Sequence, residues 1–190
     1  MHKYIVIDDF ITAQKADDLI NMIDDIIYKR ENCGCPNHEI QTIIKMPDIA
    51  EDVWNLSKKK LLNSELSFIK RNSKTYELIG LSDSVTLSRH NSPIDIHRDI
   101  EGKTIFRGKK YNNLVCFYKI ALYLNEVNSH NNKNAGGTIL YDDNKVPQKT
   151  IIPKKGRALI FDIRDLHSGA PIPKGRMKYL IGFRLLYCKV

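Results

Sequence analysis

The sequence predicts a mainly β fold of the α+β kind, a sandwich or barrel preceded by helices. Three observations predict it. Two amphipathic helical stretches occupy the first third. From about Thr75 onward, short apolar runs recur between Gly, Pro, Asn and Asp. The chain has 190 residues, the length of one domain, and no internal repeat or linker divides it, so residues 1–190 read as a single domain.

In chain order, Tyr4-Ile5-Val6-Ile7 reads as a short strand. Thr12 stands where an N-cap belongs, ahead of a helix with Ala16, Leu19, Ile20, Ile23 and Ile27 on one face and Asp17, Asp18, Asp24 and Asp25 on the other. A second helix begins near Pro47, a residue tolerated in a first turn, and would bury Ala50, Val53, Trp54 and Leu61. Between the helices lies a turn-rich loop, Cys33-Gly34-Cys35-Pro36-Asn37-His38. Strands are then expected at 85–87, 117–124, 138–141, 150–152, 158–161 and 179–187. Residues 128–134, rich in asparagine, read as a polar loop tip.

Composition narrows the class. The chain is 42% hydrophobic and 27% charged, which suits a soluble domain with a buried core and excludes disordered and collagen-like classes. Its longest apolar runs are too short to span a bilayer, so no membrane partner is expected. The N-terminus meets acid too early for a signal peptide, and four Cys do not make a disulfide scaffold; both features point to the reducing cytoplasm. A net charge of +8 allows an acidic partner, including nucleic acid, without requiring one. Lys58-Lys59-Lys60 and Lys109-Lys110 read as solvated faces. A zinc site at Cys33, Cys35 and His38 fails on spacing, because one residue separates the cysteines where structural zinc pairs have two or more.

The chemistry lies in His97, Asp99 and His167. In Asp95-Ile96-His97-Arg98-Asp99, polar and apolar residues alternate as in a strand or its end, so His97 and Asp99 share a face. A second imidazole, His167, follows the apolar strand Ala158-Leu159-Ile160-Phe161. Two imidazoles and one carboxylate on one octahedral face form the ligand set of mononuclear iron(II) oxygenases, with adjacent positions left open.

Several further pieces stand in a telling order: Ile120-Ala121-Leu122-Tyr123-Leu124-Asn125, Gly136-Gly137-Thr138, Pro153-Lys154-Lys155-Gly156-Arg157-Ala158, His167-Ser168-Gly169-Ala170-Pro171-Ile172, and Gly175-Arg176-Met177-Lys178-Tyr179. With the His97/Asp99 strand, they resemble the prolyl-4-hydroxylase-type branch of the 2-oxoglutarate/iron(II) dioxygenases, densely from His90 onward and thinly between Tyr28 and Lys74. The resemblance implies a double-stranded β-helix, or jelly roll, with the N-terminal helices on one outer face. It implies Fe(II) on His97, Asp99 and His167, 2-oxoglutarate as cosubstrate and ascorbate as an accessory reductant.

The resemblance also implies a basic anchor for the far carboxylate of 2-oxoglutarate on the last strand. Met177 occupies the family's basic position, so the anchor falls to a neighbour: Arg176 first, for its bidentate fork, then Lys178, with Arg184 third. Tyr123 is a candidate cosubstrate contact, and His90 stands where the family often has Tyr. The implied activity is hydroxylation of a C–H bond, with release of succinate and carbon dioxide. A prolyl or other amino-acid side chain in a polypeptide is the leading acceptor, and the basic, glycine-punctuated segment between Asp99 and Asn113 would cover it. The alternatives are a free amino acid or small molecule, an alkylated nucleic-acid base, and a non-catalytic jelly-roll binding module. The sequence leaves the oligomeric state open.

Overall fold

A computed structural model describes residues 4–31, 40–99, 105–106, 109–110, 113–127 and 134–190. The Cys33–His38 motif and most of the 128–134 tip lie outside them. The chain opens with β1 (Tyr4–Ile7) and α1 (Ala13–Glu31), then β2 (Ile40–Lys45) and α2 (Pro47–Leu62). Strands β3 (Phe68–Arg71), β4 (Lys74–Leu81), β5 (Ser84–His90) and β6 (Ile94–His97) follow. A two-residue ladder joins β7 (Ile105–Phe106) to β8 (Lys109–Lys110). The C-terminal part comprises β9 (Leu114–Tyr123), β10 (Thr138–Tyr141), β11 (Pro147–Ile151), β12 (Ala158–Asp162), β13 (His167–Gly169) and β14 (Lys178–Lys189).

The strands form the two antiparallel sheets of a jelly roll. The major sheet runs β1-β12-β9-β14-β4-β3, with β5 also paired to β14 and β2 paired to β5. The minor sheet runs β11-β10-β13-β6. Alternation along the strands separates two cores. Ala121, Tyr123, Leu140, Ile151, Leu159 and Phe161 fill the space between the sheets. Ile120, Leu122, Ile160, Ile181 and Phe183 point the other way and meet the helices at Leu19, Ile23, Val53 and Leu61. The helices therefore cover one outer face and leave the sandwich interior to the site.

The helix starts follow the predicted chemistry. The Lys15 amide donates to the Thr12 hydroxyl at 3.2 Å, an N-cap bond, and Pro47 opens α2. Trp54 is only half-buried, and Ser57 takes the interior position one turn on from Val53 by donating to the Val53 carbonyl at 2.6 Å. The first third is not purely helical: β2 lies within it, and β3 follows soon after. β2 closes the sheet beside β5 across a ladder from Ile40–Arg89 to Lys45–Ser84. Its exposed Ile43 and short length carry little periodic signal, and the partner strand lies some forty residues on.

Gly156 ties the N-terminal entry to the barrel. Its carbonyl accepts from the amides of Phe10 and Ile11 at 2.8 and 3.4 Å, and its φ of +76° is in the left-handed region. A Cβ there would sit 2.6 Å from the Ile11 carbonyl oxygen. Gly156→Ala should therefore lower stability by about 1–3 kcal/mol, read as a shift of the urea midpoint at unchanged slope.

Candidate metal centre

Pairing of the short strands β6 and β13 assembles the centre. His97 and His167 are direct partners in this ladder, and their rings lie 4.2 Å apart between centroids. Asp99 sits two residues beyond His97, and its amide donates to the Ile163 carbonyl at 3.1 Å, which fixes the chain just past the strand end. One ligand atom from each of His97, Asp99 and His167 lies within 4.8 Å of the others. The structure thus brings together all three residues singled out in the sequence.

Their hydrogen bonds leave the coordinating atoms open. His97 Nδ1 donates to the Asp95 carbonyl at 2.8 Å and His167 Nδ1 to the Asp165 carbonyl at 3.0 Å. A carbonyl can only accept, so each ring carries its proton on Nδ1 and presents the Nε2 lone pair to the centre. Burial holds the His167 imidazole below its usual pKa range, against the opposing pull of the Asp165 carbonyl and of Asp99, so the ring is neutral and fit to ligate. The 3.7 Å approach of His167 Nε2 to Asp99 Oδ2 is accordingly no ion pair.

The two Asp99 oxygens are divided between different partners. Oδ1 accepts from the Lys119 ammonium at 2.7 Å, whereas Oδ2 is buried without a hydrogen-bond partner. An unsatisfied buried carboxylate oxygen is costly. Facing two imidazole lone pairs, it completes a donor set of two nitrogens and one oxygen that fits Fe(II) held from one side. Phe161 packs edge-on to the His167 ring at 4.7 Å, so the ligand is oriented by apolar contact as well as by hydrogen bonding.

A narrow cavity of about 50 Å³ runs inward from the ligands, lined by Ser88, His90, Ile94, Thr138, Phe161 and Leu180 among others. Lys178, at the start of β14, stands directly opposite the cavity-lining His90 in the ladder. Lys178 is 2% exposed, its ammonium lies 5.2 Å from the centroid of the Tyr123 ring, and no carboxylate among the described residues pairs with it. Burial pushes its pKa down to about 7. Tyr123 is fully buried, donates its hydroxyl proton to Thr138 Oγ1 at 2.6 Å, and has its own pKa raised by burial.

The three candidate basic residues of the last strand region fall in different places. Arg176 is exposed in the turn before β14, where its amide donates to the Pro173 carbonyl, so its side chain lies outside the barrel. Two residues later the chain has entered the sheet, and Lys178 is inside. Arg184 lies six residues further along the strand, about 20 Å away at ~3.3 Å per residue, and lines a different cavity at the mouth. Sequence reasoning missed Lys119. The signal was present: Lys119 is the sole charge in β9, and it shares the inward face with Ala121 and Tyr123.

Fold and centre together define a double-stranded β-helix with a facial His/Asp/His set. No family model and no curated protein matches the sequence. Solved structures do. A viral collagen prolyl hydroxylase from Paramecium bursaria Chlorella virus-1, solved with 2-oxoglutarate, superposes at TM-score 0.60 and 21% identity over 97% of this chain and 95% of that one. A prolyl-4-hydroxylase from Pseudomonas putida gives 0.58 at 12% identity over 97% and 92%. A prolyl hydroxylase from Trichoplax adhaerens, bound to a fragment of the oxygen degradation domain of hypoxia inducible factor, gives 0.62 at 15% identity over 97% and 84%. The fold is that of the 2-oxoglutarate-dependent prolyl hydroxylases.

Replacing His97 or Asp99 by Ala should abolish tight Mn(II) or Fe(II) binding in calorimetry. The circular dichroism melt should stay within a few degrees of wild type, because neither side chain belongs to the apolar cores.

Proposed function

We propose that the protein is an Fe(II)- and 2-oxoglutarate-dependent hydroxylase acting on a prolyl or other amino-acid side chain in a polypeptide, with release of succinate and carbon dioxide. The observation that carries this reading is a single arrangement. Two Nε2 lone pairs and one unpartnered carboxylate oxygen converge at a narrow cavity lined by His90 and Leu180. The buried Lys178, with no carboxylate partner among the described residues, stands opposite His90 on the same strand as Leu180. When bound, Fe(II) and 2-oxoglutarate would supply the oxidising chemistry with dioxygen as the oxidant: the keto acid loses carbon dioxide and takes one oxygen atom to become succinate, and the other oxygen atom enters the acceptor C–H bond.

The chain's own residues bind, orient and exclude water. His97, Asp99 and His167 hold the metal from one side, and Lys119 takes the second Asp99 oxygen, which favours monodentate ligation. Lys178 meets the far carboxylate of the keto acid at the closed end. There an apolar wall strengthens a charge–charge contact that water would screen. Thr138 accepts from Tyr123, which leaves its own hydroxyl proton free to donate into the cavity. Leu180, Ile94 and Phe161 keep the passage dry, so the oxidant meets the acceptor and little else. A cytoplasmic location belongs to the same reading, since ferrous iron suits a reducing compartment, as do Cys116 and Cys188, which form no disulfide among the described residues.

With Fe(II) present, the protein should convert 2-oxoglutarate to succinate, and omission of iron should stop the conversion. Lys178→Met should raise the 2-oxoglutarate concentration needed for half-maximal turnover by about tenfold or more, the cost of an unpaired buried carboxylate. Arg176→Ala should change it less than twofold.

Proton linkage provides a further check. Lys178 is largely neutral above pH 7 in the ligand-free protein, and an incoming carboxylate favours its charged form. Binding of 2-oxoglutarate at pH 8 should therefore take up close to one proton, whereas at pH 6 the lysine is already charged and uptake should vanish. Calorimetry in buffers of different ionisation enthalpy measures this. Lys178→Met should abolish the pH 8 uptake.

A further inference from the structure

Asp99 is shared between two cations, one resident and one to come. Its Oδ1 already accepts from the Lys119 ammonium at 2.7 Å, and its Oδ2 is the oxygen left for the metal. The pair is enclosed, with side-chain exposures of 13% for Lys119 and 15% for Asp99, so water screens these charges only weakly.

The fold steers the lysine to this contact. Lys119 leaves β9 opposite Arg184 on β14, and its stem leans over Gly182 two residues along. A Cβ on Gly182 would come within 3.0 Å of Lys119 Cε and 3.1 Å of Thr86 Cβ, so bare backbone makes the path. Lys119 thereby lines both spaces around the ligands: the narrow inner cavity with Thr138 and Leu180, and a second of about 310 Å³ at the mouth with Thr42 and Arg98. Asp99 does not need the lysine to be placed, because its own amide is tied to the Ile163 carbonyl at 3.1 Å.

Charge then has opposite consequences for the two ligands of the centre. Asp99 is the one carboxylate of the triad, and the Lys119 ammonium offsets it. A divalent ion arriving at Oδ2 meets a like charge behind the same carboxylate. A dianion arriving in the inner cavity is attracted by that charge. With Oδ1 held, Asp99 offers a single oxygen, and the coordination position a second would fill stays open. An outer partner that merely orients a ligand raises metal affinity, and its loss lowers it. A cation in that place acts in the reverse sense.

We propose that Lys119 is a positioning residue that sets metal and cosubstrate affinity against each other, weakening capture of the divalent ion at His97, Asp99 and His167 and strengthening binding of 2-oxoglutarate to the loaded centre. The inference rests on the hydroxylase reading above and deepens it.

The test measures Mn(II) affinity from the electron paramagnetic resonance signal of the free ion, and 2-oxoglutarate affinity by calorimetry on Mn(II)-saturated protein. Lys119→Met should bind Mn(II) about tenfold more tightly and, once loaded, 2-oxoglutarate about tenfold more weakly. Lys119→Arg, which keeps the charge, should stay within about threefold of wild type in both. Gly182→Ala, which pushes the lysine stem aside, should shift both constants in the directions of Lys119→Met by smaller factors, and it decides the matter should Lys119→Met fail to fold. Metal-free Lys119→Met should melt below wild type, since Asp99 loses its partner, and should gain more from saturating Mn(II). A disturbance of the centre that is only structural would weaken both ligands together, and that result overturns the inference, as does an unchanged Mn(II) affinity in a natively folded variant. Wild-type protein that binds neither Mn(II) nor 2-oxoglutarate removes the hydroxylase reading itself, whereas wild-type binding without the opposed shifts removes this inference alone.

Discussion

The centre depends on one register: His97 opposite His167 in the ladder between β6 and β13. Both strands are short, and antiparallel pairing allows slips of one residue. Such a slip would turn one imidazole to the outer face and leave the Asp99 oxygen with a single nitrogen neighbour. Flanking bonds resist it. The Tyr141 amide donates to the Leu166 carbonyl, and its hydroxyl meets Ser168 Oγ at 2.8 Å. The Asp99 amide bond to Ile163 fixes the other side. The ligands are held by the sheet, and the sheet is held by contacts outside the ligand set.

That division explains what could be read in the sequence. The helix starts at Thr12 and Pro47, the strands of the C-terminal half and the triad itself all rest on local signals: caps, turn residues and period-two alternation. The placement of the basic residues near β14 was harder. Arg176 and Lys178 have the same parity along the chain, so alternation alone could not separate them. What separates them is where the turn ends. Gly175 adopts a φ of +77°, and the sheet begins at Lys178, so one basic residue stays in water and the other is taken into the barrel. Such a boundary is set by pairing with β5, about ninety residues earlier in the chain, and no local pattern carries it.

Lys119 and β2 were missed for a related reason. A lone lysine in an apolar strand reads equally well as an outward residue on a half-wet sheet. Only the pairing of β9 with both β12 and β14, together with the inward placement of Ala121 and Tyr123, puts it beside Asp99. β2 is legible only through its partner, because Ile43 points to solvent and Ile44 is only partly buried against the core. Long-range pairing supplies the information that these segments lack.

The inner face of β14 carries cations toward both ends and almost nothing polar between, with Lys178 at the closed end, Arg184 at the mouth, and Leu180 and Gly182 in the middle. Their environments make them act differently. Lys178 is enclosed, so holding it charged without a partner is unfavourable, and the lysine yields by losing its proton near neutrality. An arginine cannot yield in that way, because its guanidinium stays protonated at any pH the fold survives. If Lys178 anchors the cosubstrate as proposed, a site that must admit and release a carboxylate each turnover is better served by the lysine, whose charge would appear with the carboxylate and recede when it leaves. A permanent cation suits the wetter mouth, where solvent moderates its cost. The exchange of lysine for arginine along one strand thus follows from the change in burial between its two ends.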